Sequence, residues 1–164
     1  MSTSLLYHGP GLRGYRYKNA VYETGCVFFE IEPIRLCCPC CGSRDVIRRG
    51  SQSRIWCSVP IGRHPVFFSL KCPCIECRHC TALQQTKLDF ADPYVGYTRA
   101  FARYILGLCR CMTMQDVAHL LGVGWGVVKQ IVKRDLEKRF SRPRIKGIQR
   151  LAIDEIAAKK GTST

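Results

Sequence analysis

The sequence predicts an α+β protein, in which a β-rich N-terminal part with a metal site is followed by a three-helix part. Three observations lead to this prediction. Ten of the twelve cysteines lie between Cys26 and Cys80, and several of them form CxxC pairs. The same stretch alternates strand-like runs with turn-forming Gly and Pro residues. Farther along, apolar residues recur at helical spacing, and two such runs flank Gly122.

The charge of the chain favours a polyanionic partner. Its 164 residues include 26 Lys plus Arg against 12 Asp plus Glu, for a formal net charge of +14. Twelve basic and only three acidic residues lie between Tyr97 and Arg150. Nucleic acid is the leading candidate, and an acidic membrane surface is the alternative. No apolar run is long enough to span a membrane and no signal peptide is visible, so we expect a soluble, cytoplasmic, nucleoid-associated bacterial protein.

Residues 1–36 are expected to form strands. The run from Cys26 to Ile31 has the aromatic and β-branched composition of a strand, and Pro33 ends it. Residues 23–25, Glu-Thr-Gly, form a plausible turn before it. The aromatic residues of this region are interpreted as sheet and core packing, and no chemistry is assigned to them.

Two cysteine-rich segments predict a structural zinc site. The first contains a CxxC pair followed by Gly42, and the second contains two overlapping CxxC pairs that share Cys77. Zinc prefers four thiolate or imidazole ligands in a tetrahedron, and each CxxC supplies two of them from one tight turn. A reducing cytosol also favours metal binding over disulfides. The predicted ligands are Cys38, Cys41, Cys77 and Cys80.

A slip in register would give a competing set of ligands: Cys37, Cys40, Cys72 and Cys74. His79 lies inside the second segment, where we expect it to face solvent. The gap between the segments is longer than zinc ribbons usually have. Strand-like residues 54–57 and 66–70, separated by residues 60–65, predict a β-hairpin that would bring the segments together.

Three helices are predicted in the second part of the chain. Asp92-Pro93 suits a helix start, and apolar residues repeat at helical spacing from Tyr97 to Arg110. Thr113 is the expected N-cap of the next helix, with Asp116 as the acid of a capping box. Together with the helix after Gly122, this helix forms a helix-turn-helix pattern.

The last helix is expected to pack through one face and to bind through the other. The predicted packing face consists of Val128, Ile131, Val132, Leu136 and Phe140. The predicted base-facing residues are Gly126, Lys129, Gln130 and Lys133. Arg134 is placed nearer the phosphates, and Arg48 and Arg49 could reach the DNA backbone from the β-rich part. An ordinary helical hairpin with a solvated basic face is the alternative interpretation. At Gly124, a Ser or Thr would cap the helix better.

A short apolar run near the end of the chain, LAIDEIA at residues 151–157, predicts a strand with an acid near its end. Metal-dependent phosphoryl-transfer enzymes place a carboxylate in this way. Adjacent strand residues point to opposite faces, so Asp154 and Glu155 would need a bulge to share one metal. Taken alone, an acid here is more often a turn or cap residue.

The motifs and their order resemble transposases of the ISL3 insertion-sequence family. The similar segments are GLRGYRY, CCGSR with VIRRG, PIGRHPV, ECRHC, FADPYVGYTRAFARY, MTMQDVAHLLGVGWGVVK, KRDL, SRPR and LAIDEIA. The resemblance implies an N-terminal zinc-binding domain, a helix-turn-helix that binds the DNA of the element, and an RNase H-like DDE domain. It also implies that Asp154 is the first of three catalytic carboxylates that bind Mg²⁺ in the full-length enzyme.

Family members continue well beyond this acid, whereas this chain ends at Thr164. A DDE site needs several converging carboxylates to hold its metal ions. We therefore expect a truncated transposase that carries an orphan first strand of the RNase H-like domain and is inactive alone. The predicted domains are 1–91 (β-rich, zinc-binding), 92–146 (helix-turn-helix) and 147–164 (start of the catalytic domain).

The expected function is recognition of the terminal repeats of the element as double-stranded DNA. A homodimer or an association with an intact transposase is compatible with this function. One alternative is a stand-alone transcriptional regulator that contains zinc and a helix-turn-helix. A second alternative is a thiol-disulfide protein that uses the CxxC pairs for redox work, which predicts disulfides in place of zinc.

Overall fold

A computed structural model describes residues 5–8 and 10–141. The N-terminal part holds a short helix and five strands: α1 (Leu5–His8), β1 (Tyr15–Glu23), β2 (Cys26–Pro33), β3 (Val46–Ile61), β4 (His64–Cys77) and β5 (Leu83–Gln85). Three helices follow: α2 (Arg99–Leu108), α3 (Met114–Leu121) and α4 (Trp125–Phe140). None of the described helices is long and apolar enough to cross a membrane.

The five strands form one sheet in the order β1-β2-β4-β3, with β5 paired to the second half of β4. Strands β2 and β4 are parallel, and the other pairs are antiparallel. The β1–β2 hairpin confirms the predicted turn and strand. Its two turn residues, Thr24 and Gly25, have φ angles of 49° and 79°, and this pair of positive values is typical of the type I′ turn.

The predicted hairpin between the two cysteine segments is confirmed and is longer than expected. Strands β3 and β4 pair from Ile61↔His64 beside the turn to Val46↔Cys77 at the far end. Gly62 has a φ of 61° in the two-residue turn, where glycine adopts the left-handed conformation at little cost. From the sequence, the two strands are expected to reach only residues 54 and 70, because the part of β3 before residue 54 is polar. The pairing continues there because β4 remains largely buried.

One face of this sheet forms the first core. Trp56 and Phe68 are fully buried, and the ring of Phe90 packs edge-on against Trp56 at 5.2 Å. Tyr15 packs edge-on against Phe90 from β1 at 5.0 Å. Leu12 is buried in the same cluster. The packing interpretation of the aromatic residues therefore holds for this face.

The three helices enclose the second core. Ile105 from α2, Val117 from α3 and Val128 from α4 are each fully buried. Ala118 is also buried, and Val123 donates a backbone hydrogen bond to its carbonyl at 3.0 Å. Because the residue at this position is small, the turn that follows α3 can pack closely, and α4 can lie against α3.

The predicted start of the first helix is wrong. Helix α2 begins at Arg99, where the Thr98 hydroxyl accepts a hydrogen bond from the N–H of Phe101 at 3.1 Å. Asp92 instead forms an ion pair with Arg99 at 2.7 Å. Tyr94 has a φ of 61°, and a left-handed residue cannot continue a right-handed helix.

The predicted packing face of the last helix is also wrong in its second half. Val128 and Ile131 are buried as expected, but Leu136 is 49 % and Phe140 is 64 % exposed. Helix α4 has sixteen residues, twice as many as α3. Its second half extends past the residues that form the core, so apolar spacing there does not lead to burial.

Backbone hydrogen bonds join the two parts of the molecule. The Cys57 N–H donates to Gly96 O at 2.8 Å, and the Thr98 N–H donates to Cys57 O at 2.9 Å.

The predicted boundary between residues 91 and 92 falls between the two cores and remains a prediction. The predicted catalytic strand with Asp154, and the domain assigned to residues 147–164, lie outside the described residues.

Candidate metal centre and nucleic-acid interface

Four cysteines meet at the open end of the β3–β4 hairpin. The Sγ atoms of Cys38, Cys41, Cys77 and Cys80 all lie within 4.8 Å of one another. Cys38 and Cys80 are 3.5 Å apart, as are Cys41 and Cys77. Four thiolates about 2.3 Å from a zinc ion form a tetrahedron with edges of about 3.8 Å. The cluster therefore has the size and donor chemistry to hold a metal ion.

Two backbone turns of the same design present these thiols. In the first knuckle (residues 38–43), Cys38 N–H donates to Ser43 O at 2.8 Å, and Gly42 N–H donates to Cys38 O at 2.9 Å. In the second knuckle (residues 77–82), Cys77 N–H donates to Ala82 O at 3.0 Å, and the N–H of residue 81 donates to Cys77 O at 2.9 Å. Each knuckle thus turns two thiols toward the same point.

The knuckles differ at one position. Gly42 has a φ of 73° in the first, and Thr81 has a φ of 56° at the matching place in the second. A residue with a Cβ is strained in this conformation, whereas glycine is not. The Thr81 hydroxyl donates to the carbonyl of Cys80 at 2.8 Å. The second knuckle therefore carries backbone strain that the first one lacks.

The knuckle backbone divides the thiols into two kinds. The N–H of Cys41 lowers the pKa of the Cys38 thiol to about 6, and the N–H of Cys80 lowers the pKa of Cys77. At Cys80, the N–H of Ala82 lowers the pKa, but the thiols of Cys38 and Cys41 outweigh it and raise the pKa to about 12. At Cys41, the N–H of Ser43 lowers the pKa, but burial and the Cys77 thiol raise it overall. Full ionisation of all four thiols therefore requires a cation among them.

The competing ligand set does not converge among the described residues. The cluster of metal-binding size contains neither Cys37 and Cys40 nor Cys72 and Cys74. Cys72 is instead buried in the core beneath the sheet, where burial raises its pKa. His79 is exposed in the second knuckle, as predicted.

The helix-turn-helix pattern has the expected caps. The Thr113 hydroxyl accepts a hydrogen bond from Asp116 N–H at 3.2 Å and donates one to Asp116 Oδ2 at 2.7 Å. Helix α3 ends at Gly122, which has a φ of 62°. Gly124 is the N-cap of α4 and makes no side-chain hydrogen bond.

Helix α4 presents four predicted base-facing residues to solvent, and we call them the contact face: Gly126, Lys129, Gln130 and Lys133. Lys133 lies 3.7 Å from Glu137 in an exposed pair. Such pairs contribute little, so a phosphate could replace Glu137 as the partner. The contact face is a basic and amide-bearing surface opposite the buried Val128 and Ile131.

Arg134 lies apart from the contact face. Its guanidinium donates to the hydroxyl of Tyr97 at 3.2 Å, at a groove between α2 and α4. In the β-rich part, Arg48 and Arg49 are exposed neighbours on β3. Arg49 forms an ion pair with Glu76 on β4.

Sequence reasoning missed Trp125, the first residue of α4. Its side chain is 43 % exposed, and the Lys129 ammonium lies over its ring, 4.9 Å from the centroid. Trp125 lies directly before Gly126, and Lys129 follows it one helical turn later on the same side of α4, so Trp125 adjoins the contact face. Its position at the start of a recognition-type helix is the signal that could have identified it.

Comparison with known families supports the helical part. Residues 86–136 match the family model described as the helix-turn-helix domain of transposase family ISL3. The match includes all of α2 and α3 and most of α4. No curated protein and no solved structure matches the chain.

Proposed function

We propose that this chain is the DNA-binding part of a transposase, because residues 86–136 match the family model of the helix-turn-helix domain of transposase family ISL3. It recognises the terminal repeats of its element as duplex DNA. The observation that carries this proposal is the contact face of α4, which is exposed within a domain of that family. A helix with basic and amide side chains near its N-terminal end is suited to the major groove.

The packing around α4 favours this function. The helix is fixed from behind by the second core, through Val128 and Ile131. The Arg134–Tyr97 hydrogen bond joins α4 to the segment that precedes α2, and the Cys57–Gly96 hydrogen bond joins that segment to the sheet. A recognition helix held this way can present its side chains in one orientation.

The four-cysteine cluster supports a structural role for Zn²⁺ in the same protein. Four thiols fill the coordination sphere of zinc and leave no open position for a substrate. The ion would join the two knuckles and so hold the open end of the β3–β4 hairpin. The hairpin in turn supports α2 through Cys57.

The zinc-loaded chain should bind a duplex of the terminal repeats more tightly than a scrambled duplex of equal composition. Fluorescence polarisation across a salt series measures both affinities. Equal affinity at moderate salt would contradict recognition of the repeats.

Lys133→Ala tests the docking face of the chain. It should weaken binding and reduce the slope of log K against log salt by about one, because the chain then releases about one fewer counterion from the DNA. Lys138→Ala is the matched control, because it removes the same charge from α4 about 140° around the helix from Lys133. Equal effects of the two variants would exclude the contact face as the docking surface.

A further inference from the structure

Trp125 is exposed although nothing in α4 requires a large aromatic residue there. Indole rings provide much of the apolar burial in cores and interfaces. This ring is 43 % exposed at the start of the helix, while the second core is filled by aliphatic side chains together with Phe101 and Tyr97. Its apolar surface is therefore available to a partner of the folded chain.

The orientation of the ring is restrained. Lys129 lies one helical turn later, and its ammonium sits over the indole at 4.9 Å. This cation–π contact is attractive at an exposed site, and it keeps the positive charge and the apolar ring side by side. A partner that contacts the indole ring therefore also contacts the Lys129 ammonium.

Neither glycine beside Trp125 is required by the backbone conformation or the packing of the fold, although Gly124 is the N-cap of α4. Gly124 has an ordinary φ of −63°, and Gly126 does not have a positive φ. A Cβ added at either position would meet nothing within 4 Å. Glycine inside a helix is less stable than alanine, so Gly126 weakens α4 with no gain in backbone freedom or packing.

From these contacts we infer that Trp125, with Gly124 and Gly126 beside it, reads thymine in the major groove. Because the glycines have no side chains, the backbone at the start of α4 can approach the DNA closely. The indole then contacts the C5-methyl group of thymine, which is the apolar group that the major groove exposes. Lys129 lies near enough to meet a phosphate or a guanine edge next to that thymine. The inference rests on the proposed function and specifies one element of its sequence preference.

The first test needs no variant. The zinc-loaded chain selects duplexes from a random-sequence pool, and each thymine of the selected site is then replaced by deoxyuridine, which lacks the methyl group. One or two of these replacements should weaken binding about fivefold or more. If the pool yields no preferred sequence, recognition itself fails, and the inference fails with it. If a preferred site appears but every deoxyuridine duplex binds as well as thymine, the inference alone is overturned.

Variants then assign the effect to the ring. Trp125→Ala should bind the thymine duplex about tenfold more weakly and no longer distinguish thymine from deoxyuridine, while Trp125→Phe retains part of the discrimination. A thermal melt checks that each variant is folded. If Trp125→Ala still distinguishes the two bases as the natural chain does, another residue reads the methyl group.

Gly126 has a matched control in helix α2. Gly107 is exposed in α2, and a Cβ there also meets nothing within 4 Å. Both Gly126→Ala and Gly107→Ala should raise the melting temperature by a few degrees, because alanine favours the helix. Only Gly126→Ala should weaken DNA binding, by about tenfold. Unchanged binding by Gly126→Ala would show that DNA does not approach the start of α4 closely.

Discussion

In the β-rich part, two thiols that meet at 3.5 Å come from residues 42 positions apart, Cys38 and Cys80. In the helical part, the contact that starts α3 joins Thr113 to Asp116, three positions apart. The first arrangement closes a long loop. This closure costs chain entropy, which the bonds to the metal offset. The second forms within one turn. The difference suggests that the sheet depends on the cluster, whereas the helices are stabilised mainly by their caps and their small core, with a hydrogen-bonded link to the sheet through Cys57.

Loss of one cluster thiol should have the largest effect. Structural zinc sites contribute about 10 kcal/mol or more to folding at neutral pH. Cys38→Ser should therefore abolish stoichiometric zinc binding and open the strands of the β-rich part, while α2–α4 keep their helical content. Metal analysis by mass spectrometry and hydrogen exchange would measure the two effects.

Cys40→Ser is the matched control for this comparison. Cys40 is exposed in the same segment but lies outside the cluster, so the variant should keep both its zinc and its protected strands. If the helices lost their structure together with the sheet in Cys38→Ser, the two parts would not differ as described.

The pH dependence of metal binding should be steep. The pKa of Cys38 is about 6 and that of Cys77 is lowered, whereas Cys80 has a pKa of about 12 and that of Cys41 is raised. At pH 7, zinc must therefore displace at least two protons, those of Cys41 and Cys80. Because bound thiolates have depressed pKa values, the stabilisation by zinc is present at higher pH and lost as the pH falls.

Calorimetry in buffers of different ionisation enthalpy counts these protons. Between pH 7 and 8, the affinity for zinc should rise at least about 100-fold, tenfold for each of the protons released from Cys41 and Cys80. An affinity independent of pH would contradict the assignment of two protonated thiols in the metal-free cluster.

A smaller effect is expected from the cap of α3. Thr113→Ala removes the acceptor for Asp116 N–H, which should lower the free energy of unfolding of the helical part by about 1 kcal/mol. Chemical denaturation followed by the helical signal measures the change, and zinc content should be unaffected. Thr113→Ser keeps the hydroxyl and should restore most of the stability. A loss of zinc in Thr113→Ala would show that the two parts unfold together.

The smallest effects come from the strained position in the knuckles. Thr81→Gly relieves a left-handed residue and should stabilise the β-rich part by up to about 1 kcal/mol, offset by loss of the hydroxyl contact with Cys80. Gly42→Ala should destabilise by about 1 kcal/mol through backbone strain alone, since its Cβ meets nothing within 4 Å. Urea denaturation of the zinc-loaded chain measures both, and changes of the same sign would exclude strain as the cause.

The sequence identified contacts that depend on few residues. A CxxC pair followed by Gly42 predicts the backbone turn of a knuckle, and Thr113 with Asp116 predicts the N-cap of a helix. The hairpin between the segments followed from its turn residues. These features are local, so their residue types and spacing were sufficient to predict them.

The errors concern partners that spacing does not reveal. Asp92-Pro93 has the composition of a helix start, but its acid is paired with Arg99, and the helix begins at Arg99 with Thr98 as its N-cap. Leu136 repeats at helical spacing, yet no described element covers it. The sequence pattern does not indicate the exposure of Trp125, because an aromatic residue at the start of a helix is usually explained by packing.

The β3–β4 hairpin has one further consequence. The cysteine cluster lies at its open end, and Cys57, which carries the link to the helices, lies near its turn. From Val46 to Cys57 the strand covers about 36 Å at about 3.3 Å per residue. The hairpin is thus a spacer between the cysteine cluster and the helices. Its length changes by about 7 Å for two residues in each strand, and a single extra residue needs a bulge such as the one between Arg48 and Ser51 to keep the two faces of the sheet.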